Sequence, residues 1–224
     1  MKRIILSFLL TPIFMFSQIA DDMSVNKKLY TKGSFVFGPG FEKFLVAEVH
    51  YRDSDKDNEE VHISPGGGAG IEGVIGYDIS KSLSCEFALG WENSGKVVDK
   101  DNSAMFNKYP LRASVLYRII IDKKYTPYIG AGISTVLSAK YTEDSQGTEH
   151  EATYTKPVGF HVLGGAEWKN PQSSLFFFGE VRLLLLGEFE AEEATVSDYA
   201  LETIGLDKMN ANGVQFTFGI GYYL

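Results

Sequence analysis

Eight charged residues punctuate otherwise apolar, alternating stretches of this 224-residue chain: Glu72, Glu86, Glu92, Arg112, Arg118, Glu167, Glu180 and Arg182. A carboxylate and a guanidinium on facing segments can form charge-assisted hydrogen bonds, and pairing offsets the cost of taking each out of water. The spacing suggests partners. Directly opposed residues of an antiparallel hairpin share one index sum, and Glu86 with Arg118 and Glu92 with Arg112 both give 204. A single register centred near Asn102 would pair both couples.

Other chemistry is thinner. Asp53, Asp55 and Asp57 are spaced like the first ligands of a calcium loop. The sixth position is Asn58 rather than Gly and the twelfth is Ser64 rather than Glu, so the stretch reads as a solvated acidic loop. His161 precedes Val162 and Leu163 and lacks the neighbouring serine of a nucleophile–base pair; it reads as a satisfied inward histidine. Cys85 is the single cysteine, which excludes an internal disulfide framework and multi-cysteine zinc or iron–sulfur sites. No catalytic residue, metal or cofactor is expected.

The elements that carry the charges are strands. Leu83, Cys85, Phe87, Leu89 and Trp91 share one face, and Ser84, Glu86, Ala88, Gly90 and Glu92 the other. A period of two with one greasy and one polar or small face marks a strand between two media. The row Tyr109 to Ile121 opposes Arg112, Ser114 and Arg118. Ile129, Ala131, Ile133, Leu137 and Tyr141 oppose Gly130, Gly132, Ser134 and Ser138. Val158, Phe160, Val162, Ala166 and Trp168 oppose His161, Gly165 and Glu167, and Leu175 to Leu185 opposes Glu180 and Arg182. The chain ends with Val214, Phe216, Phe218, Ile220, Tyr222 and Leu224 against Gln215, Thr217, Gly219 and Gly221. Ile71, Gly73, Ile75 and Tyr77 form another apolar row beside inward Glu72. Tyr30 to Tyr51 reads as one long strand bent at Gly38-Pro39-Gly40, which makes about eight strands.

Lys2 and Arg3 precede an apolar run from Ile4 to Phe16, the pattern of an export signal cut between Ser17 and Gln18. The expected organisation is a signal peptide over 1–17, a short periplasmic segment over 18–28 and one domain over 29–224. Removing Lys2 and Arg3 from the 21 basic residues leaves 19 against 29 acidic ones, a charge of −10. Such a balance argues against nucleic acid as a partner. No later apolar run is long enough for a membrane helix, but strands of about 9–11 residues can cross in a closed barrel. Short turns near Ser80, Asp122 and Asn170 alternate with long polar connections over 52–64, 93–106, 142–155 and 190–210. That sorting fits short periplasmic turns and long external loops.

Gly76-Tyr77-Asp78-Ile79-Ser80, Tyr128 to Ile133 and Phe216 to Leu224 resemble the small outer-membrane β-barrel family found widely in Bacteroidetes, similar in fold to the OmpA transmembrane domain and OmpX. The resemblance implies an all-β, closed, antiparallel up-and-down transmembrane barrel in the outer membrane, monomeric and surrounded by lipid. It also implies a terminal signal for the barrel-assembly machinery in Phe216, Phe218, Ile220, Tyr222 and Leu224. In such a barrel the charged face points into the lumen and plugs it, and aromatic girdles mark the interfaces. Tyr77, Trp168 and Tyr222 are then expected at the periplasmic side, with Trp91, Tyr109 and Tyr141 at the external side. The external loops are acidic, as in Glu143, Asp144, Glu149 and Glu151, or Glu188, Glu190, Glu192 and Glu193, and their partner is unknown. The expected role is structural or surface interaction. The competing readings are an exported lipocalin-like binding barrel and, more remotely, a lipid-modifying membrane enzyme.

Overall fold

In a computed structural model of the chain, the period-two pattern becomes a wall with two unlike sides. The structure describes residues 29–49, 59–97, 102–121, 124–145, 148–169, 172–194 and 206–224. The segments 1–17 and 18–28 and the Asp53–Asp57 stretch lie outside the described residues.

The strands in chain order are β1 (Leu29–Gly38), β2 (Phe44–Val49), β3 (Glu59–Ile63), β4 (Gly68–Asp78), β5 (Leu83–Val97), β6 (Asn102–Arg118) and β7 (Tyr125–Ser145). They continue as β8 (Thr148–Tyr154), β9 (Val158–Lys169), β10 (Leu175–Leu185), β11 (Glu188–Ala194), β12 (Lys208–Asn210) and β13 (Gly213–Tyr223). Eight of them close an antiparallel ring in the order β1, β4, β5, β6, β7, β9, β10, β13 and back to β1. Closure leaves no unpaired edge within the ring, which a strand crossing hydrocarbon requires. Among the described residues no helix is long and apolar enough to cross a membrane.

The outer side is apolar. Phe35 and Val158 are each 73% exposed, and Ile75, Phe87, Ile129, Phe160, Phe177 and Phe218 are exposed with them. Exposed apolar area this continuous is a membrane surface rather than the surface of a soluble protein. Tyr77, Trp168 and Tyr222 stand outward near the short turns, and Trp91 and Tyr109 near the other end.

Tyr141 is a correction. It is buried, and Ser138, expected inside, is exposed. Along β6 the pairing steps from Lys108 to Pro110 while β7 steps back from Ala139 to Val136. The extra residue on β7 is a bulge, and one extra residue moves every later side chain to the opposite face. Pro110 cannot donate a ladder hydrogen bond, so the bulge falls where one donor is missing.

Two further expectations change. The chain beyond Gly38-Pro39-Gly40 does not prolong β1, because β2 pairs only with β3 as a separate hairpin. The external connections are also less loop-like than their polarity suggests. β1, β4, β10 and β13 have 10 or 11 residues, about a membrane span, whereas β5, β6 and β7 have 15, 17 and 21. These three rise beyond the ring on one side, and β8, β11 and β12 extend the raised sheet.

Candidate functional site

The inner face of the ring collects all eight charges read from the sequence, and two clusters divide them. In the cluster nearer the external mouth, Arg112 reaches Glu92 at 2.6 Å, Gln215 at 3.0 Å and also Glu72. Arg182 meets Glu72 at 3.1 Å and Glu180 at 2.6 Å. Lys108 lies 3.2 Å from Glu92. Nearer the short turns, Arg118 meets Glu167 at 3.1 Å and also Asp78, while Lys32 meets Glu86. Lys169 holds the second Glu167 oxygen at 2.8 Å.

Glu72, Glu86, Glu92, Glu167 and Glu180 are buried together with Lys32, Lys108, Arg112, Arg118 and Arg182. The interior is therefore charge-balanced, as pairing must make it if ions are to stay out of bulk water. Lys32 and Lys108 were missed in the sequence. The period-two rule could have found both, because Lys32 alternates with outward Thr31 and Gly33, and Lys108 lies four residues before Arg112.

The shared register expected for Glu86–Arg118 and Glu92–Arg112 is not formed. Glu86 opposes Ser114, and Arg112 opposes Ala88. The hairpin extends to Val97 and Asn102, and its pairs sum to 200, a slip of an even number of residues. An even slip preserves the faces. Arg112 still reaches Glu92 because its side chain is long, but Glu86 takes Lys32 and Tyr30 while Arg118 turns to Glu167, Asp78 and Ser84. In an unfolding measurement in detergent, the Arg118/Glu167 double-mutant cycle is expected to give a coupling of about 0.5–3 kcal/mol, and the Arg118/Glu86 cycle to add within error. Coupling confined to Arg118/Glu86 would contradict this pairing.

Two tyrosines repeat one arrangement. Tyr30 opposes Gly76, which opposes Glu86, and the Tyr30 hydroxyl donates to Glu86 at 2.7 Å across the glycine. Tyr128 opposes Gly165, which opposes Glu180, and the Tyr128 hydroxyl donates to Glu180 at 3.1 Å. A ring can lie across the inner wall only where the intervening strand has no side chain. A Cβ on Gly76 would stand 2.1 Å from the Tyr30 ring. His161 is buried as well, with Ser114 Oγ 2.8 Å from Nε2 and Ser134 Oγ 2.7 Å from Nδ1. One hydroxyl must donate to the ring and the other accept from it, which ties β6, β7 and β9 together.

The external mouth is covered in two ways. The Pro65–Gly67 turn folds inward, where Lys108 donates to the Pro65 and Gly67 carbonyls at 2.6 and 3.0 Å. Above it, the raised sheet contributes Phe106, Tyr141, Tyr154, Phe189 and Met209 to an apolar core that Ile63 joins from β3. Phe106 packs edge-on against Tyr154 and Phe189, with centroids at 5.5 and 5.1 Å. Burial raises the Tyr154 hydroxyl above its ordinary pKa. On the outer rim Glu190 lies 3.0 Å from Lys208 and raises the pKa of that lysine by hydrogen bonding and charge. Glu188, Glu192 and Glu193 are exposed beside it. No group of metal-ligating side chains occurs among the described residues.

A closed eight-stranded ring, apolar outside and ionic within, defines a small β-barrel of the outer membrane. The model of the Opacity family of porin proteins matches residues 68–207, and the chain belongs to that family. Among solved structures, the outer membrane protein OprG from Pseudomonas aeruginosa is similar at a TM-score of 0.59 and 12% identity, over 88% of this chain and 95% of that one. Neisserial surface protein A is similar at a TM-score of 0.48 and 14% identity, over 88% and 99%. Ail of Yersinia pestis, solved with a heparin analogue, is similar at 0.47 and 12%, over 88% and 97%. No curated protein matches the chain. At these identities the likeness to solved structures speaks for the fold alone.

Proposed function

We propose that this outer-membrane barrel serves a structural or surface-interaction role, with a lumen plugged by its own ion pairs and an acidic external sheet as its outward face. The observation that carries the reading is the network around Glu72, which ties β4, β6 and β10 across the interior through Arg112 and Arg182. An eight-stranded barrel has an interior that side chains can nearly fill, and here long paired ones supply the filling. The inward Pro65–Gly67 turn and the apolar core over the mouth add to the closure. In this reading Phe216, Phe218, Ile220, Tyr222 and Leu224 are the row that the assembly machinery reads, and the folded chain works as a monomer.

Planar-bilayer recording tests the plug. The expected result is no stable conductance of the size of a water-filled porin; a steady open level of that size would refute the closed lumen. The acidic rim supports an external partner that carries positive charge, and binding there should weaken as salt rises.

A further inference from the structure

Among the described residues of the ring, the glycines that face outward include Gly33, Gly73, Gly164 and Gly179, and of the outward glycines only Gly33 and Gly73 are paired directly with each other. At mid-height the row running from β13 through β1 and β4 to β5 reads Ile220, Gly33, Gly73, Leu89. Two adjacent positions carry no side chain, and a Cβ on either glycine would meet nothing within 4 Å. The gap opens a depression of about 1150 Å³ on the hydrocarbon-facing wall. A second depression of about 780 Å³ lies above it, and the two share Phe35, Ile71 and Trp91. The upper one ends at Asn93 and Asn107, whose side-chain amides are joined at 2.9 Å.

Length and polarity select the occupant. From the Gly33–Gly73 row to the Ala69–Asn93 row is four residues, about 13 Å along the strand. Tilt reduces that to roughly 10 Å of depth, near half of an apolar band about 25 Å tall. Above the gap the groove therefore rises through the outer leaflet, and below it the lower depression runs on past Phe177 to Trp168 near the short turns. The groove is apolar along its length and closes on hydrogen-bonding amides beside the Trp91 girdle, the depth of lipid headgroups. We propose that this groove is a binding site for one acyl chain of an outer-leaflet lipid, with the chain end in the Gly33–Gly73 gap and the headgroup side at Asn93 and Asn107.

The chain has two tryptophans: Trp91 lines both depressions, whereas Trp168 lines only the lower one, beyond the Gly33–Gly73 gap where the acyl chain ends. Quenching by phosphatidylcholine brominated on the headgroup half of its chains, which a bound chain would hold beside Trp91 and away from Trp168, is therefore a direct probe when the lipid is diluted into unbrominated vesicles. Trp91 is read alone in Trp168→Phe and Trp168 alone in Trp91→Phe. At low brominated fraction a preferred site fills out of proportion, so Trp91 is expected to be about twofold more quenched than Trp168. Gly33→Leu with Gly73→Leu, in the Trp168→Phe protein, should bring Trp91 to the level of Trp168. Gly33→Ala with Gly73→Ala should give an intermediate value even if the bulkier pair does not assemble. Equal quenching of the two tryptophans, or no response to either filling pair, would overturn the site. So would a Trp91 shielded from brominated chains at every fraction, the result if a second copy covered the groove.

Discussion

Glu72→Leu is expected to lower barrel stability by about 3–5 kcal/mol, because it strands charges instead of removing a pair. Its carboxylate serves Arg182 at 3.1 Å and Arg112 at once, and all three side chains are buried. After the substitution Arg112 keeps Glu92 and Gln215, and Arg182 keeps Glu180. The upper cluster then holds three cations, Lys108, Arg112 and Arg182, against Glu92 and Glu180 alone. Glu72→Gln, which keeps the shape and loses the charge, should cost less. Arg182→Met combined with Glu72→Leu should cost less than the sum of the two by about 0.5–3 kcal/mol, since the pair leaves together. Urea unfolding in detergent, followed by the mobility shift of heated barrels, measures each value. A loss below about 1 kcal/mol for Glu72→Leu would place the cluster in the class of hydrated surface pairs and remove the main support for a dry plug.

The difference between what the sequence disclosed and what it hid lies in the range of the interactions. Alternation is local, so the facing of Glu72, Glu86, Arg112 or Arg182 could be read from neighbours two residues away. Partner choice is not local. Arg118 meets Glu167, 49 residues away, and Arg182 meets Glu72, 110 away, across strands whose relative height a single chain does not print. A register sum of 204 satisfies the alternation as well as the observed 200 does, because an even slip keeps every face intact. Tyr141 departs from the alternation for a related reason: one extra β7 residue opposite Tyr109, next to the Pro110–Val136 pair, inverts the parity above it. The external sheet was hidden by composition. β8 and β11 carry glutamates on their solvent side, and their apolar contributions to the core, Ala152, Tyr154 and Phe189, are too sparse to stand out from a polar loop.

Gly76→Ala is the smallest change expected to have a large effect. Two tendencies oppose each other. Replacing glycine by alanine restricts the unfolded chain and favours folding by about 0.4–1 kcal/mol. Against that, the new methyl would stand 2.1 Å from Tyr30 Cζ and 2.5 Å from its hydroxyl oxygen, far inside contact distance. The ring cannot simply swing away. It is fully buried, packed against Phe176 and Tyr223 at centroid distances of 6.1 and 5.4 Å, and tied to Glu86. Overpacking of this kind costs about 1–3 kcal/mol. Displacing the hydroxyl from a buried carboxylate adds about 1.5–3 kcal/mol for a hydrogen bond to a charged group. The clash wins, and Gly76→Ala should destabilise the barrel by about 2–4 kcal/mol. Gly165→Ala should act in the same direction through Tyr128 and Glu180, with the Gly179 carbonyl at 2.4 Å tightening the site further. The decisive measurement is the cycle with Tyr30→Ala. Removing the ring leaves a space that an alanine methyl can partly refill, so the double mutant should be more stable than the single losses predict. If the two losses add to within about 0.5 kcal/mol, the glycine is not there to let the tyrosine cross, and the Tyr–Gly–Glu arrangement has no energetic meaning.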